Sequence, residues 1–240
     1  MAAIEVLIKQ EIKKMRNNIS LSHIISQSTP AYGNRDRIFI RDNSSILKGE
    51  TANSSCWVFS NNHIGTHIDS PRHFSATGKK TQEFDINDFF YDVVQLVDID
   101  CQTGILVGID EFERVENAVD PTVELLLIRT GYEQYRMADK YWNDSPGLAA
   151  ELADYFRGGY PNLRCVGFDF ISLTSWNFRP EGRISHRAFL CPENDARPIL
   201  VIEDMALEHV KNNIRSVVVA PLFVEDGNGG AVTVFADIER

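Results

Sequence analysis

Residues 63–73 read HIGTHIDSPRH and are the most informative stretch of the chain, because they concentrate its histidines. Three of only six histidines lie here, at His63, His67 and His73. Asp69 lies among them. Imidazole and carboxylate groups are common ligands of zinc and manganese. The stretch therefore predicts a metal site whose ligands are His63, His67 and Asp69.

The spacing within this stretch suits convergence on one ion. Residues two apart in an extended segment share a face, so His67 and Asp69 point the same way. Gly65 allows the backbone to bend and bring the first histidine to that side. Pro71 fixes a turn that can bring His73 back toward the site. Two histidines and one carboxylate leave positions open for water and substrate, and His73 is then a spare imidazole that can transfer a proton.

Two other interpretations of the cluster remain open at this point. The histidines could be structural side chains beside a turn, each satisfied by hydrogen bonds. The site could also be a structural metal site, which would require a fourth protein ligand and would leave no histidine spare. Three histidines and an aspartate in this arrangement favour the catalytic interpretation over both.

The composition is that of an ordinary globular domain, with 43% hydrophobic and 24% charged residues among 240. The formal net charge is −10 and no basic run is present, so we expect no nucleic-acid partner. The apolar runs are far shorter than the ~20 residues of a membrane-spanning helix. The N-terminus lacks the apolar core of a signal peptide, so we expect a cytoplasmic protein. The four cysteines form no CxxC pair and predict neither a zinc ribbon nor a disulfide framework.

Apolar runs of strand length recur along the chain. The predicted strands lie within Asn18–Tyr32 and at Ile38–Arg41, Ser54–Ser60, Asp92–Asp100, Leu125–Thr130, Arg164–Phe170, Ser216–Phe223 and Ala231–Asp237. The runs that begin at Asp92, Leu125, Arg164 and Ser216 are almost continuously apolar. Such runs are typical of strands that are buried on both faces.

Segments with helical periodicity alternate with these runs. Helices are predicted at 4–17, Gly108–Arg114, Pro146–Phe156 and Ala206–Val210. Ser145 is a candidate N-cap for the third of them. Leu173–Asp195 is polar and rich in Pro, Gly and Asn, which predicts a long functional loop. Strands mixed with helices throughout indicate an α/β domain with a mixed sheet or a small barrel.

The stretch at 63–73 resembles the HxGTHxDxPxH signature of the cyclase-like metal-dependent hydrolase family, which includes bacterial kynurenine formamidase and isatin hydrolase. All seven signature residues are present. Weaker similarities to the family occur at Leu21–His23, Thr29–Tyr32, Leu127–Gly131, Val166–Asp169, Ser185–Arg187 and Val201–Asp204. The resemblance implies an α/β fold of the swivelling β/β/α type with a mixed-sheet, β-barrel-like core. It places a single hydrolase domain at 19–240, preceded by an N-terminal helical extension at 1–18.

The resemblance also implies a site with one or two Zn²⁺ or Mn²⁺ ions per chain. The matching ligands are His63, His67 and Asp69 for the first metal, and Asp69, His186 and Glu203 for the second. His73 matches the general acid/base, and Tyr32 matches a substrate-binding tryptophan. Family members usually form dimers or larger assemblies, so we expect a homodimer or homotetramer that acts on a small molecule.

The residues distant from the motif say less by themselves. His186 would by default be a solvent-exposed histidine of the polar loop. Glu203 ends an apolar run and needs a partner, which a metal or the N-terminus of a helix at 204–210 would supply. Asp169, between two phenylalanines, is expected to be a buried acid that orients a loop or a ligand imidazole. Trp176 and Phe178 could cover the substrate or anchor their loop.

We therefore expect a metal-dependent hydrolase that cleaves a small amide, formamide, cyclic amide or lactone by attack of an activated water. Two alternatives remain. One is a lyase or cyclase, and the other is a metal-binding protein without activity. Tyr32 in place of tryptophan and an apparent insertion at 192–197 depart from the short formamidases. These departures leave the substrate itself unassigned.

Overall fold

The computed structural model describes residues 17–101, 104–193, 196–211 and 213–239. The helix predicted at 4–17 lies outside the described residues except for Asn17, and so does almost all of the predicted extension at 1–18. Within the described chain, no helix has the length and apolar character needed to span a membrane.

Strands carry most of the architecture. They are β1 (Asn18–Ser20), β2 (Ile38–Ser44), β3 (Ser54–Phe59), β4 (His67–Asp69), β5 (Phe90–Tyr91), β6 (Val94–Asp98), β7 (Leu106–Val107), β8 (Leu125–Arg129), β9 (Gly147–Leu148), β10 (Cys165–Phe168), β11 (Leu200–Glu203), β12 (Ile214–Pro221) and β13 (Gly229–Ile238). The α-helices are α1 (Ile109–Glu116), α2 (Asp139–Asn143), α3 (Glu151–Gly159) and α4 (Arg179–Leu190). Short 3₁₀ turns include Tyr32–Asn34, Pro71–His73 and Trp176–Phe178.

One mixed sheet organises the domain, in the order β5-β12-β13-β4-β11-β10-β8-β6, with β1 paired to β13. The strands β11, β10, β8 and β6 run parallel to one another, whereas β4 is antiparallel to both of its neighbours. Strand β6 packs against β12, so the two ends of the sheet approach each other. The expected mixed-sheet, barrel-like α/β core is confirmed.

Two hydrophobic clusters lie on opposite faces of this sheet, and β8 contributes to both. Leu126 and Ile128 pack under the helices with Phe156 and Phe189. Leu125 and Leu127 pack into the other cluster, which the barrel encloses. Alternate residues of a strand point to opposite faces, so the near-continuous apolar run is explained by burial on both sides. The same prediction is wrong for β12, whose burial alternates.

The helix predicted at Pro146–Phe156 is wrong in its first half. Gly147 and Leu148 form β9, which pairs in parallel with β7, and α3 begins only at Glu151. A Cβ on Gly147 would lie 2.7 Å from the Leu173 carbonyl oxygen, so the close approach of this loop to β9 requires glycine. Ser145 caps no helix and is instead fully buried. Tertiary pairing has overridden the local helical pattern here.

The long loop predicted at Leu173–Asp195 is also wrong, because α4 occupies its centre. Pro180 stands in the first turn of that helix, where its missing N–H costs nothing. Gly182, His186 and Phe189 recur at helical spacing on its buried face. The helix predicted at Ala206–Val210 is absent, and that segment forms a turn.

Candidate active site

Strand β4 lies at the centre of the sheet and carries two of the predicted ligands. His67 and Asp69 are both buried, with 3% and 1% of their surfaces exposed. Their separation by two residues places both side chains on one face, as predicted. Glu203 of β11 is the antiparallel partner of His67, so its side chain projects from the same face. The register of two strands therefore assembles one imidazole and two carboxylates.

The ring of His67 is oriented by its own loop. Gly65, in the left-handed conformation with φ 74°, presents its carbonyl oxygen 2.8 Å from Nδ1 of His67. The ring N–H is donated there, which leaves a lone pair on Nε2. That buried Nε2 has no hydrogen-bond partner and lies 3.2 Å from Glu203 and 3.6 Å from Asp69. The predicted bend at Gly65 is confirmed.

Helix α4 brings His186 to the opposite side of the two carboxylates. Its Nδ1 lies 2.9 Å from the carbonyl oxygen of Gly182, one turn earlier. Its Nε2 lies 3.5 Å from Asp69 and 3.4 Å from Glu203. The expectation of an exposed loop histidine is wrong, because His186 is buried on a helix. The ring repeats the arrangement of His67, with Nδ1 held by the backbone and Nε2 facing oxygen atoms.

His63 approaches Asp69 from a third direction. Its Nδ1 lies 2.7 Å from Oδ1 of Asp69, and its Nε2 lies 3.1 Å from the side-chain oxygen of Asn228. Asn62 donates to that same oxygen at 2.7 Å, which marks it as an acceptor. Donation from Nε2 to Asn228 would leave the Nδ1 lone pair of His63 for a metal shared with Asp69. Asn228 is not among the predicted site residues. The glycine-rich run at 226–230 could have indicated it, because a Cβ on Gly229 would overlap the Ile68 carbonyl oxygen and the His63 ring.

His73 lies on the exposed side of the cluster. The 3₁₀ turn that begins at Pro71 returns it to the site, as predicted. Its ring stacks on His63 with centroids 3.9 Å apart, and its Nε2 is 4.0 Å from Asp69. Burial lowers the pKa of His73 to about 4, against the attraction of the Asp69 carboxylate. The ring is therefore neutral near pH 7 and can accept a proton.

The carboxylates are fixed as firmly as the imidazoles. The backbone N–H of Leu173 donates to Glu203 at 2.7 Å, and the Ser172 hydroxyl donates at 3.2 Å. The partners of Glu203 are thus a loop and the two histidines, and the helix N-terminus considered for it is absent.

Asp169 accepts hydrogen bonds from the backbone N–H groups of Thr130 and Gly131, both at 2.8 Å, so its expected role in orienting a loop is confirmed.

This donor set fits a divalent cation. The lone pair of a neutral imidazole and a carboxylate oxygen are both hydrogen-bond acceptors, so they repel each other when they face. A positive charge between them removes this repulsion. Protons can supply that charge: burial alone would lower the pKa of His67, but Glu203 and Asp69 raise it to about 9. The same carboxylates raise the pKa of His186 to about 10 against its burial. A metal ion would satisfy the same lone pairs without a proton.

The ligand atoms fall into two overlapping sets that share Asp69. The first set is His63, Asp69 and His73. The second set is His67, Asp69 and Glu203, and in each set the ligand atoms lie within 4.8 Å of one another. Asp69 is thus central, as the sequence resemblance implied for a two-metal site. His73 lies within ligand distance, which the sequence did not suggest.

A pocket of about 330 Å³ opens over these groups. Phe74 forms one wall and stacks on His186 with ring centroids 4.6 Å apart. Tyr32, predicted to contact substrate, lines another wall and packs 5.1 Å from the ring of Trp176. Trp176 therefore anchors the N-terminal segment to the start of α4. The pocket gives the candidate metal site access to solvent through a mostly polar lining, in which Tyr32, Phe74 and Ile171 are the apolar contacts.

The sequence profile of the family described as Putative cyclase matches residues 19–174. The chain belongs to this family. The matched part contains His63, His67, Asp69 and His73 but ends before His186 and Glu203, which the fold joins to them.

Two kinds of relatives agree with this assignment. The kynurenine formamidase of Bacillus cytotoxicus is 28% identical over 170 residues, which cover 71% of this chain and 73% of that protein. The isatin hydrolase A of Ralstonia solanacearum has a similar fold, with a TM-score of 0.76, 18% identity and coverage of 98% and 97%. A potential metal-dependent hydrolase with cyclase activity superposes with a TM-score of 0.71 at 18% identity, covering 93% of this chain and 98% of that one.

Proposed function

We propose that this protein is a metal-dependent hydrolase that cleaves a small amide, a formamide or a cyclic amide or lactone. The observation that carries the proposal is the convergence of imidazole lone pairs on the two buried carboxylates of Asp69 and Glu203. Sequence similarity to the kynurenine formamidase of Bacillus cytotoxicus supports the choice of a formamide C–N bond.

The residues that would hold the metal are the imidazoles and carboxylates that converge in the pocket. They are His63, His67, Asp69, His186 and Glu203, with Asp69 common to both groups of ligand atoms. Nitrogen and oxygen ligands of this kind suit Zn²⁺ or Mn²⁺, and the set is large enough for one ion or two. A bound divalent ion would lower the pKa of a water and polarise the scissile carbonyl.

His73 is the candidate general acid/base. It is the histidine of the cluster with the most exposed side chain, at 28% of its surface, and its neutral ring can take the proton of the attacking water. The same proton can then pass to the leaving nitrogen, which must be protonated before it departs as an amine. Phe74 and Tyr32 would hold the planar body of the substrate and exclude water from that side.

The test is hydrolysis by protein whose metal content has been measured. Tag-free protein is analysed for zinc and manganese, reloaded, and assayed on formanilide, a cyclic imide and an aryl lactone. We expect one or two ions per chain and turnover of at least one compound. His67→Ala should lose both metal and turnover, whereas Arg187→Gln, an exposed change on α4 outside the pocket, should lose neither.

Other outcomes would contradict the proposal in distinct ways. Metal binding without turnover of any compound would favour the metal-binding protein without activity. A product that gains no oxygen from ¹⁸O-labelled water would favour a lyase or cyclase. Absence of metal after reloading would remove the hydrolytic mechanism altogether.

A further inference from the structure

Three arginines stand at the mouth of the candidate active site, although the chain has a formal net charge of −10. Arg35, Arg179 and Arg183 line the same pocket as the histidine cluster. Arg35 follows the 3₁₀ turn at Tyr32–Asn34, whereas the other two lie one turn apart on α4 and so share a face. Distant parts of the chain thus bring three positive charges to one place.

The positions of two of these arginines are set by Trp176. The guanidinium carbons of Arg35 and Arg179 each lie 4.9 Å from the centre of its ring, within the range of cation–π attraction. Trp176 itself packs on the backbone of Gly33, where φ is 60° and where a Cβ atom would overlap the ring. Glycine at position 33 is therefore required for this contact, which joins the N-terminal segment to α4.

These guanidiniums have no acidic partner among the described residues, in contrast to several arginines that support the fold. Arg136, for example, pairs with a buried carboxylate at 2.7 Å. Within the described chain, no Asp or Glu oxygen lies within 4.0 Å of the three pocket arginines. Asp36 lines the pocket, but its oxygens accept hydrogen bonds from Ser60 and Asn61, both at 3.1 Å.

We propose that Arg35, Arg179 and Arg183 form a subsite for a carboxylate of the substrate, remote from the bond that is cleaved. Guanidinium groups bind carboxylates through paired, charge-assisted hydrogen bonds. Asp69 and Glu203 line the same pocket but would be occupied by the metal that they hold, so the three guanidiniums are the charged groups left for a substrate anion. The substrate is therefore oriented with its carboxylate toward the arginines and its amide carbonyl toward His73. This inference rests on the proposed function for the reaction, though not for binding.

The kinetic test uses two substrates that differ only in charge. They are 3-(2-formamidophenyl)propanoate and its primary carboxamide, compared by kcat/KM with the metal-loaded enzyme. We expect the carboxylate to be preferred about tenfold or more, and Arg183→Gln to reduce that preference about tenfold. Arg35→Gln combined with Arg183→Gln should remove it. Arg187→Gln, the matched control one turn further along α4, should keep the preference of the wild type.

A binding measurement separates failure of the subsite from failure of the reaction. Fluorescence of the metal-loaded protein is titrated with 3-phenylpropanoate and with 3-phenylpropanamide, since Trp176 contacts two of the arginines. We expect the carboxylate to bind about tenfold more weakly to Arg183→Gln than to Arg187→Gln. Equal affinity in the two variants would place the carboxylate elsewhere, for example on the metal, and would overturn the subsite. Arginine-dependent binding without any hydrolysis would uphold the subsite and overturn only the proposed reaction.

Discussion

The two walls of the pocket are built in different ways. On one wall, β4 holds His67 and Asp69 only two residues apart, and β11 and β13 flank them on both sides. On the other wall, α4 contributes His186, Arg179 and Arg183, and it packs on the loop that contains Thr174. The strand wall is positioned by register, whereas the helix wall depends on packing. We expect the strand wall to be sensitive to the loss of a ligand group, and the helix wall to be sensitive to a change in side-chain volume.

Asp69→Asn should have the largest effect, because this side chain serves both walls. It lies near three imidazole nitrogens at 2.7, 3.5 and 3.6 Å. Loss of its charge should abolish metal binding and lower kcat/KM by at least about 1,000-fold. Elemental analysis and the formanilide assay measure both effects. Asp110→Asn, an exposed change in the first turn of α1, is the control, and wild-type metal content in Asp69→Asn would contradict the shared role.

His73→Gln should separate chemistry from metal binding. The ring lies at the solvent side of the strand wall and touches Asp69 only at 4.0 Å. We expect the variant to retain metal while kcat falls by roughly 100- to 10,000-fold. Metal loss as severe as in Asp69→Asn would show that His73 is a ligand, as its distance also permits.

Asn228→Ala tests how the strand wall orients His63. Without the acceptor 3.1 Å from Nε2, the ring loses its fixed tautomer, and metal affinity should fall by roughly 10- to 100-fold. Asn228→Asp retains an acceptor and should keep most of the affinity. Equal losses in the two variants, measured by competition with a chelator, would mean that the amide acts through the backbone of β13 instead.

Gly182→Ala tests packing of the helix wall and should have the smallest effect on chemistry. A Cβ at this position would overlap the Thr174 side chain, so α4 must shift away from its loop. We expect a loss of about 1–3 kcal/mol in the free energy of unfolding and a weaker hold on His186. Gly158→Ala in α3, where a Cβ meets nothing within 4 Å, should instead stabilise by about 0.4–1 kcal/mol. Chemical denaturation of both variants measures the contrast.

The strand wall could be foreseen because its determinants are local. The alternation that places His67 and Asp69 on one face, the bend at Gly65 and the turn at Pro71 are each encoded within a few residues. The runs at β8 and β10 likewise predicted their own burial, since a strand enclosed on both faces needs apolar residues at every position.

The helix wall could not be predicted in this way, because its determinants are contacts with distant parts of the chain. Pro180 and Gly182 are residue types typical of loops, yet the first suits a helical first turn and the second makes room for Thr174. Neither role is visible without the segment against which α4 packs. The sequence thus determined the ligand motif, the α/β class and the two-faced strands, because those depend on spacing along the chain. The tertiary structure alone decided that Asn228 reaches His63, that His186 lies buried on a helix and that three arginines line the same pocket. Residues far apart in sequence are brought together only when the sheet closes.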